Sequence, residues 1–127
     1  MYKEVIICIV VIVVIVSLDV FTQKYTRSTT SEITQIFSDL KVDMLKEDKG
    51  KIEEKVKILD EKWGQKHDRL AYYIEHDELE KVDTSIVTLK SYVETDDYSS
   101  AIAELDEGKF ILEHIQKKYA FNLENIF

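Results

Sequence analysis

The residues richest in chemical possibility lie in one short stretch, Glu75-His76-Asp77-Glu78-Leu79-Glu80. His76 and Glu80 are four apart, so on a helix both project from one face. A second imidazole and carboxylate, His114 and Glu113, lie further along the chain. A hairpin folded about Thr95 and Asp96 would place His114 opposite Asp77. Two imidazoles with carboxylates are ligands for Zn²⁺ or a similar transition ion. His76, Glu80, Glu113 and His114 are therefore the candidate metal ligands. The ordinary reading of the same residues is surface charge with hydrogen bonding across a hairpin. That reading is preferred, so no metal and no cofactor are expected.

Other chemistry is thinly represented. There is no nucleophile elbow, no Gly-rich phosphate loop and no paired Cys set. The single Cys8 lies inside an apolar run, which removes a thiol nucleophile and an intramolecular disulfide. Ser99 and Ser100 follow Asp97 and read as the first turn of a helix. His67 shares a seam with Trp63 and Leu70 and reads as a partly buried structural histidine. Trp63, Tyr72, Tyr73, Tyr92, Tyr98 and Phe110 are numerous enough to line a ligand pocket, but core filling is the default for aromatics at helical spacing. No catalytic residue is assigned, and the chain is not expected to be an enzyme.

Charge narrows the partners. The 127 residues carry a net charge of −8. Residues 22–127 hold 16 basic and 23 acidic side chains, a net of −7. Such a surface repels nucleic acid. Lys41 to Lys66 is nearly balanced, with eight Lys against seven acids, whereas Glu75 to Glu107 has 11 acids against two Lys. Any working surface is therefore sought first in the later, acidic part, around His76 and His114.

The elements that must hold these residues are helices. The chain has no Pro, three Gly and a third of its residues charged, a composition that favours long helices. Val5 to Val16 is an unbroken run of Val, Ile and Cys, extended through Ser17 and Leu18 to Val20 and Phe21. With Lys3, Glu4 and Asp19 near the two interfaces, residues 1–22 are long enough to span a bilayer as a helix. No small-x-small cleavage site follows, so an uncleaved signal anchor is read rather than a signal peptide. Lys3 roughly balances Lys24 and Arg27, so flanking charge does not orient it. An anchor before a small domain usually exports that domain, and the helical part is placed outside the cytoplasm.

Residues 23–28 read as a juxtamembrane linker or a helix continuation. Residues 29–127 form one acidic helical domain. Thr29 and Glu32 fit a capping box opening helix A, followed by Ile33, Ile36, Phe37, Leu40 and Met44 on one face. Gly50 is placed as its C-terminal stop. Helix B carries Ile52, Val56, Leu59, Trp63, His67, Leu70 and Ile74, then skips five residues to Leu79, Val82, Ile86, Leu89 and Val93. The skip means a rotated seam in one long helix or a break near His76. The absence of Pro or Gly there favours the long helix. Thr95-Asp96-Asp97 is a turn and N-cap signal for helix C, whose seam runs Tyr98, Ile102, Leu105, Lys109, Leu112, Ile115 and Tyr119. Gly64 and Gly108 suit close helix contacts, and Phe121, Leu123, Ile126 and Phe127 should dock. The fold class is all-α: a transmembrane helix followed by an antiparallel hairpin or bundle of three long helices, the middle one continuous or broken near His76.

An N-terminal anchor, a helical Trp63, Glu75-His76-Asp77-Glu78-Leu79, Leu112-Glu113-His114-Ile115 and a terminal Asn125-Ile126-Phe127 together resemble the domain-of-unknown-function 4363 family. That resemblance implies small, single-pass, membrane-attached helical proteins of spore-forming, low-GC Gram-positive bacteria. It also implies a partner, since members are often encoded beside a small multi-pass membrane protein. It supplies no activity and no site residues. The leading expectation is a membrane-anchored, extracytoplasmic interaction module in an envelope complex. Its partners would be the lipid bilayer, through residues 1–22, and another membrane or envelope protein; the modest core also leaves room for self-association. The alternative is a ligand- or cation-sensing domain that works through a separate transducer.

Overall fold

The computed structural model describes residues 1–120 and contains four helices: α1 (Tyr2–Leu45), α2 (Lys49–Leu70), α3 (His76–Glu94) and α4 (Tyr98–Ala120). Successive helices run antiparallel. α1 packs against α2 and α4, and α3 packs chiefly against α4 and more lightly against α2. The part of α1 beyond the apolar run is thus one member of an up-down-up-down four-helix bundle. The expected docking of Phe121, Leu123, Ile126 and Phe127 lies outside the described residues.

α1 is one continuous helix of 44 residues, about 66 Å long. Residues 23–28 continue the helix rather than form a linker. The expected capping box at Thr29 and Glu32 is not used. Thr29 is buried inside the helix, and Glu32 reaches across to Lys62 at 2.5 Å. Nothing breaks the backbone before it, and two threonines are accommodated by back-bonding. Thr22 Oγ1 donates to the Asp19 carbonyl at 2.9 Å, and Thr26 Oγ1 to the Thr22 carbonyl at 2.7 Å.

α1 ends at Leu45, and Glu47 takes the left-handed conformation with φ 55°. Gly50, expected as the stop, is instead in the first turn of α2. Asp48 caps that helix, its side chain accepting from the Lys51 amide at 3.3 Å. Between α3 and α4 the expected turn is present. Asp96 has φ 56°, and Asp97 Oδ1 accepts from the Ser100 amide at 3.2 Å.

The favoured long helix B is not formed; the chain breaks between Leu70 and His76. The cause is the five-residue skip. In an unbroken helix Leu79 would lie about 140° around from Ile74. One helix cannot bury both against the same neighbours. Breaking there leaves Ile74 4% and Leu79 1% exposed. The freed polar groups find tertiary partners: the Glu75 amide donates to the Tyr119 hydroxyl at 2.9 Å.

The core is continuous along the bundle. α1 contributes Ile33, Phe37, Leu40 and Met44; α2 contributes Ile52, Leu59, Trp63 and Leu70; α3 contributes Leu79, Val82, Ile86 and Leu89. α4 contributes Ala101, Leu105, Leu112 and Ile115. Lys109, expected on the α4 seam, is exposed, and Gly108 takes the inward place. A Cβ at Gly108 would lie 2.9 Å from Phe37 Cε2, so the close contact expected there is real. Gly64 is different: a Cβ there would meet nothing within 4 Å.

Candidate functional site

α3 and α4 carry the acidic stretch, and their pairing determines where its charge goes. A groove of about 820 Å³ lies between them, lined by Asp77, Glu80, Lys81, Ser85, Glu104, Glu107, Phe110 and Ile111. Four carboxylates face it against one Lys. Phe110 is 69% exposed at its edge, an aromatic ring left in water. Burial holds the Glu104 carboxyl above its ordinary range, and the negative charge of Glu107 adds to the effect. The groove thus combines an apolar strip with a net negative field.

The candidate metal ligands do not converge on this site as a set. His76 opens α3, with Nε2 3.8 Å from Glu80 Oε2 and both side chains largely in solvent. Glu113 and His114 are exposed on α4. Among the described residues no group of three or more His, Cys, Asp or Glu side chains is placed to hold a metal ion. The expected pairing of His114 with Asp77 is displaced by about one turn. Lys118 occupies that level instead, 3.4 Å from Glu78 Oε1 and 3.5 Å from Glu75 Oε2. Glu78 is 7% exposed, and its burial beside Lys118 makes this a structural pair.

His67 behaves as the structural residue expected. Its Nε2 lies 3.2 Å from Asp83 Oδ2, and its ring meets Trp63 edge-on at 6.0 Å between centroids. Trp63 Nε1 donates to Asp83 Oδ1 at 2.6 Å. Asp83 therefore clamps two α2 rings onto α3. Sequence reasoning missed Asp83 because it read helix B as continuous. The observed turn, centred on residue 73, sets residue 63 opposite residue 83, whereas a fold centred on the skip itself would have set it opposite residue 90. The other aromatics divide between core and surface. Tyr73, Tyr92 and Tyr98 are half-buried, while Tyr72 is 90% exposed, like Phe110 outside any core.

At the opposite side of the bundle, ion pairs stitch α1 to α2. Lys55 meets Asp43, and Lys62 and Lys66 meet Glu32. The hydrogen bond from Lys62 holds the Glu32 carboxyl below its usual range. The hydrogen bond to Asp43 holds the Lys55 ammonium above its usual range. These pairs tie part of the Lys41 to Lys66 stretch into the fold, whereas the acids of the α3–α4 groove face solvent.

The N-terminal section of α1 has a third character. Val5 to Ile15 is exposed throughout, with no helix of the bundle covering it. It is long and apolar enough to cross a membrane and is compatible with single-pass anchoring. No curated protein and no solved structure matches this chain. A family model described as "Domain of unknown function (DUF4363)" matches residues 20–126, from the last turn of the apolar run through the whole bundle, and the chain belongs to that family.

Proposed function

We propose that this protein is a membrane-anchored, extracytoplasmic, non-catalytic interaction subunit, and that the α3–α4 groove receives a partner. The observation that carries the reading is Phe110, an exposed ring on a groove walled by Asp77, Glu80, Glu104 and Glu107. An apolar residue held in an acidic groove suits a partner segment that presents an apolar side chain between Lys or Arg residues. The remaining chemistry agrees with such a role. The imidazoles are either clamped, as His67 is, or at the surface. The one thiol lies in the anchor.

The partner in this reading is another membrane or envelope protein, met at the membrane to which residues 1–22 hold this chain. The test is affinity purification of the tagged chain from membranes in mild detergent. A stoichiometric membrane or envelope protein should copurify, and Phe110→Ser with Glu107→Lys should release it. Recovery of the chain alone would overturn the reading. Sidedness is tested separately by Ser99→Cys and an impermeant maleimide on intact cells. Labelling is expected, and protection until lysis would place the bundle in the cytoplasm.

A further inference from the structure

The anchor and the bundle share one helix, so the position of the bilayer along that helix fixes what else touches it. Phe21 is the last apolar residue of the run. The very next residue is already engaged by the bundle: the Tyr73 hydroxyl donates to the Thr22 carbonyl at 3.3 Å and lies 2.7 Å from Thr26 Oγ1. Asp19, Thr22, Gln23 and Thr26 line one small cleft with Tyr73 and Tyr119. The 71–75 turn and the end of α4 therefore reach the level of the anchor's last turn. On the anchor reading, no stalk in α1 separates the bundle from the membrane.

Tyr72 is at the tip of that turn and is 90% exposed. Its neighbour Tyr73 turns inward to α1, so Tyr72 is left outside the bundle at the level where the apolar run ends. Exposed basic residues stand at this end, Lys24 and Arg27 on α1, Arg69 on α2 and Lys117 on α4, with the exposed acids Asp68 and Glu75 among them. An amphipathic aromatic ring with cations beside it is the composition that settles at a lipid headgroup layer.

We infer that the 71–75 turn is a second membrane contact, with Tyr72 inserted among the headgroups and the bundle resting directly on the bilayer. The inference rests on the anchor reading of residues 1–22. It does not depend on the partner proposed for the α3–α4 groove.

The test uses the full chain in lipid nanodiscs, with Tyr72→Trp compared against the unaltered chain. The only native indole, Trp63, is an internal standard. Its neighbour Lys62 pairs with Glu32, which puts it about 16 Å along α1 beyond Phe21. Lipids brominated high on the acyl chain, next to the headgroups, should remove most of the emission added by Tyr72→Trp. They should leave that of Trp63 unchanged. Soluble iodide should quench the added indole weakly. A chain that enters the nanodisc but whose added indole is unaffected by bromine and open to iodide overturns the seat alone. A chain that does not enter the nanodisc overturns the anchor reading and the seat together.

Discussion

The buried face of α1 changes character along its length, and the two halves show what each must do. Beyond Ile33 the face is Ile33, Phe37, Leu40 and Met44, each at most 2% exposed. Before Ile33 it is Thr26, Thr29 and Thr30, nearly as well buried. The far half gains the full stabilisation of apolar burial, while the near half packs hydroxyls. Some of these hydroxyls are satisfied, as Thr26 is by the Thr22 carbonyl and Tyr73. Thr29 Oγ1 and the Tyr25 hydroxyl are buried with no partner among the described residues. A helix that is apolar on all sides has no marked place at which the membrane stops. The threonines follow where the apolar run ends, at some expense in stability, and the far half holds the bundle together.

The largest expected effect comes from the far half. Leu40→Ala should lower the unfolding free energy by about 3 kcal/mol, as a fully buried leucine does when its space cannot close. Denaturant titration of the two chains measures it. A loss below about 1 kcal/mol would mean that the far core is loosely packed and the contrast between halves false.

Gly108 tests the same half from the other side. Gly108→Ala pushes a methyl into the buried Phe37 ring and should cost about 1–2 kcal/mol. Gly64→Ala meets open space and should stabilise α2 by up to about 1 kcal/mol. Equal midpoints for the two variants would show that Phe37 yields freely.

The near half makes the opposite prediction. Thr29→Val keeps shape and removes the unpartnered hydroxyl, so stability should rise by about 1 kcal/mol. A loss would mean that a water or a partner group satisfies Oγ1, and that the near half is a built polar site.

The smallest effect is electrostatic. Burial raises the folded-state pKa of Glu104. Its charged form is therefore disfavoured by folding, and its contribution is destabilising above that pKa and absent below the unfolded carboxyl value. Glu104→Gln should accordingly be the more stable chain at neutral pH. The difference should shrink as pH falls through the carboxylate range. Glu32 works in the opposite sense. Its pKa is lowered by Lys62, so its stabilisation is present above the unfolded value and fades as pH falls through the folded one. Thermal melts across the acid range separate the two, and a Glu104→Gln difference that is independent of pH would remove the desolvation argument.

Much of the bundle was legible from spacing. The seam of helix A, most of that of helix C apart from Lys109, and most core residues follow from apolar positions recurring every three or four residues, and the Asp96 turn from its Thr-Asp-Asp signal. The break after Leu70 was not favoured, although the skip before Leu79 announces it. No Pro or Gly marks the break; the geometric impossibility of burying Ile74 and Leu79 on one face makes it. Thr29 misled for a related reason. The residue types that cap a helix are also those that line a polar seam, and only the continuity of α1 distinguishes the two. At the site, the acidity of the Glu75 to Glu107 stretch was visible, but its focus on Phe110 was not. Which acids stay free depends on the pairing of Lys118 with Glu75 and Glu78, a contact across 40 residues of chain and more. His76 and His114 drew attention as rare residue types, yet the register that separates them is set elsewhere.

With residues 1–22 spanning a bilayer as proposed, the unbroken course of α1 would make the molecule a lever. From Phe21 to Leu45 the helix extends about 36 Å with no hinge. A tilt of about 20°, common for spanning helices, would carry the far turn at Glu47 sideways by about 12 Å. Tilt responds to the match between apolar length and bilayer thickness. A thinner or thicker membrane would thus be translated, through one rigid arm, into a different height and heading for the groove that Phe110 borders.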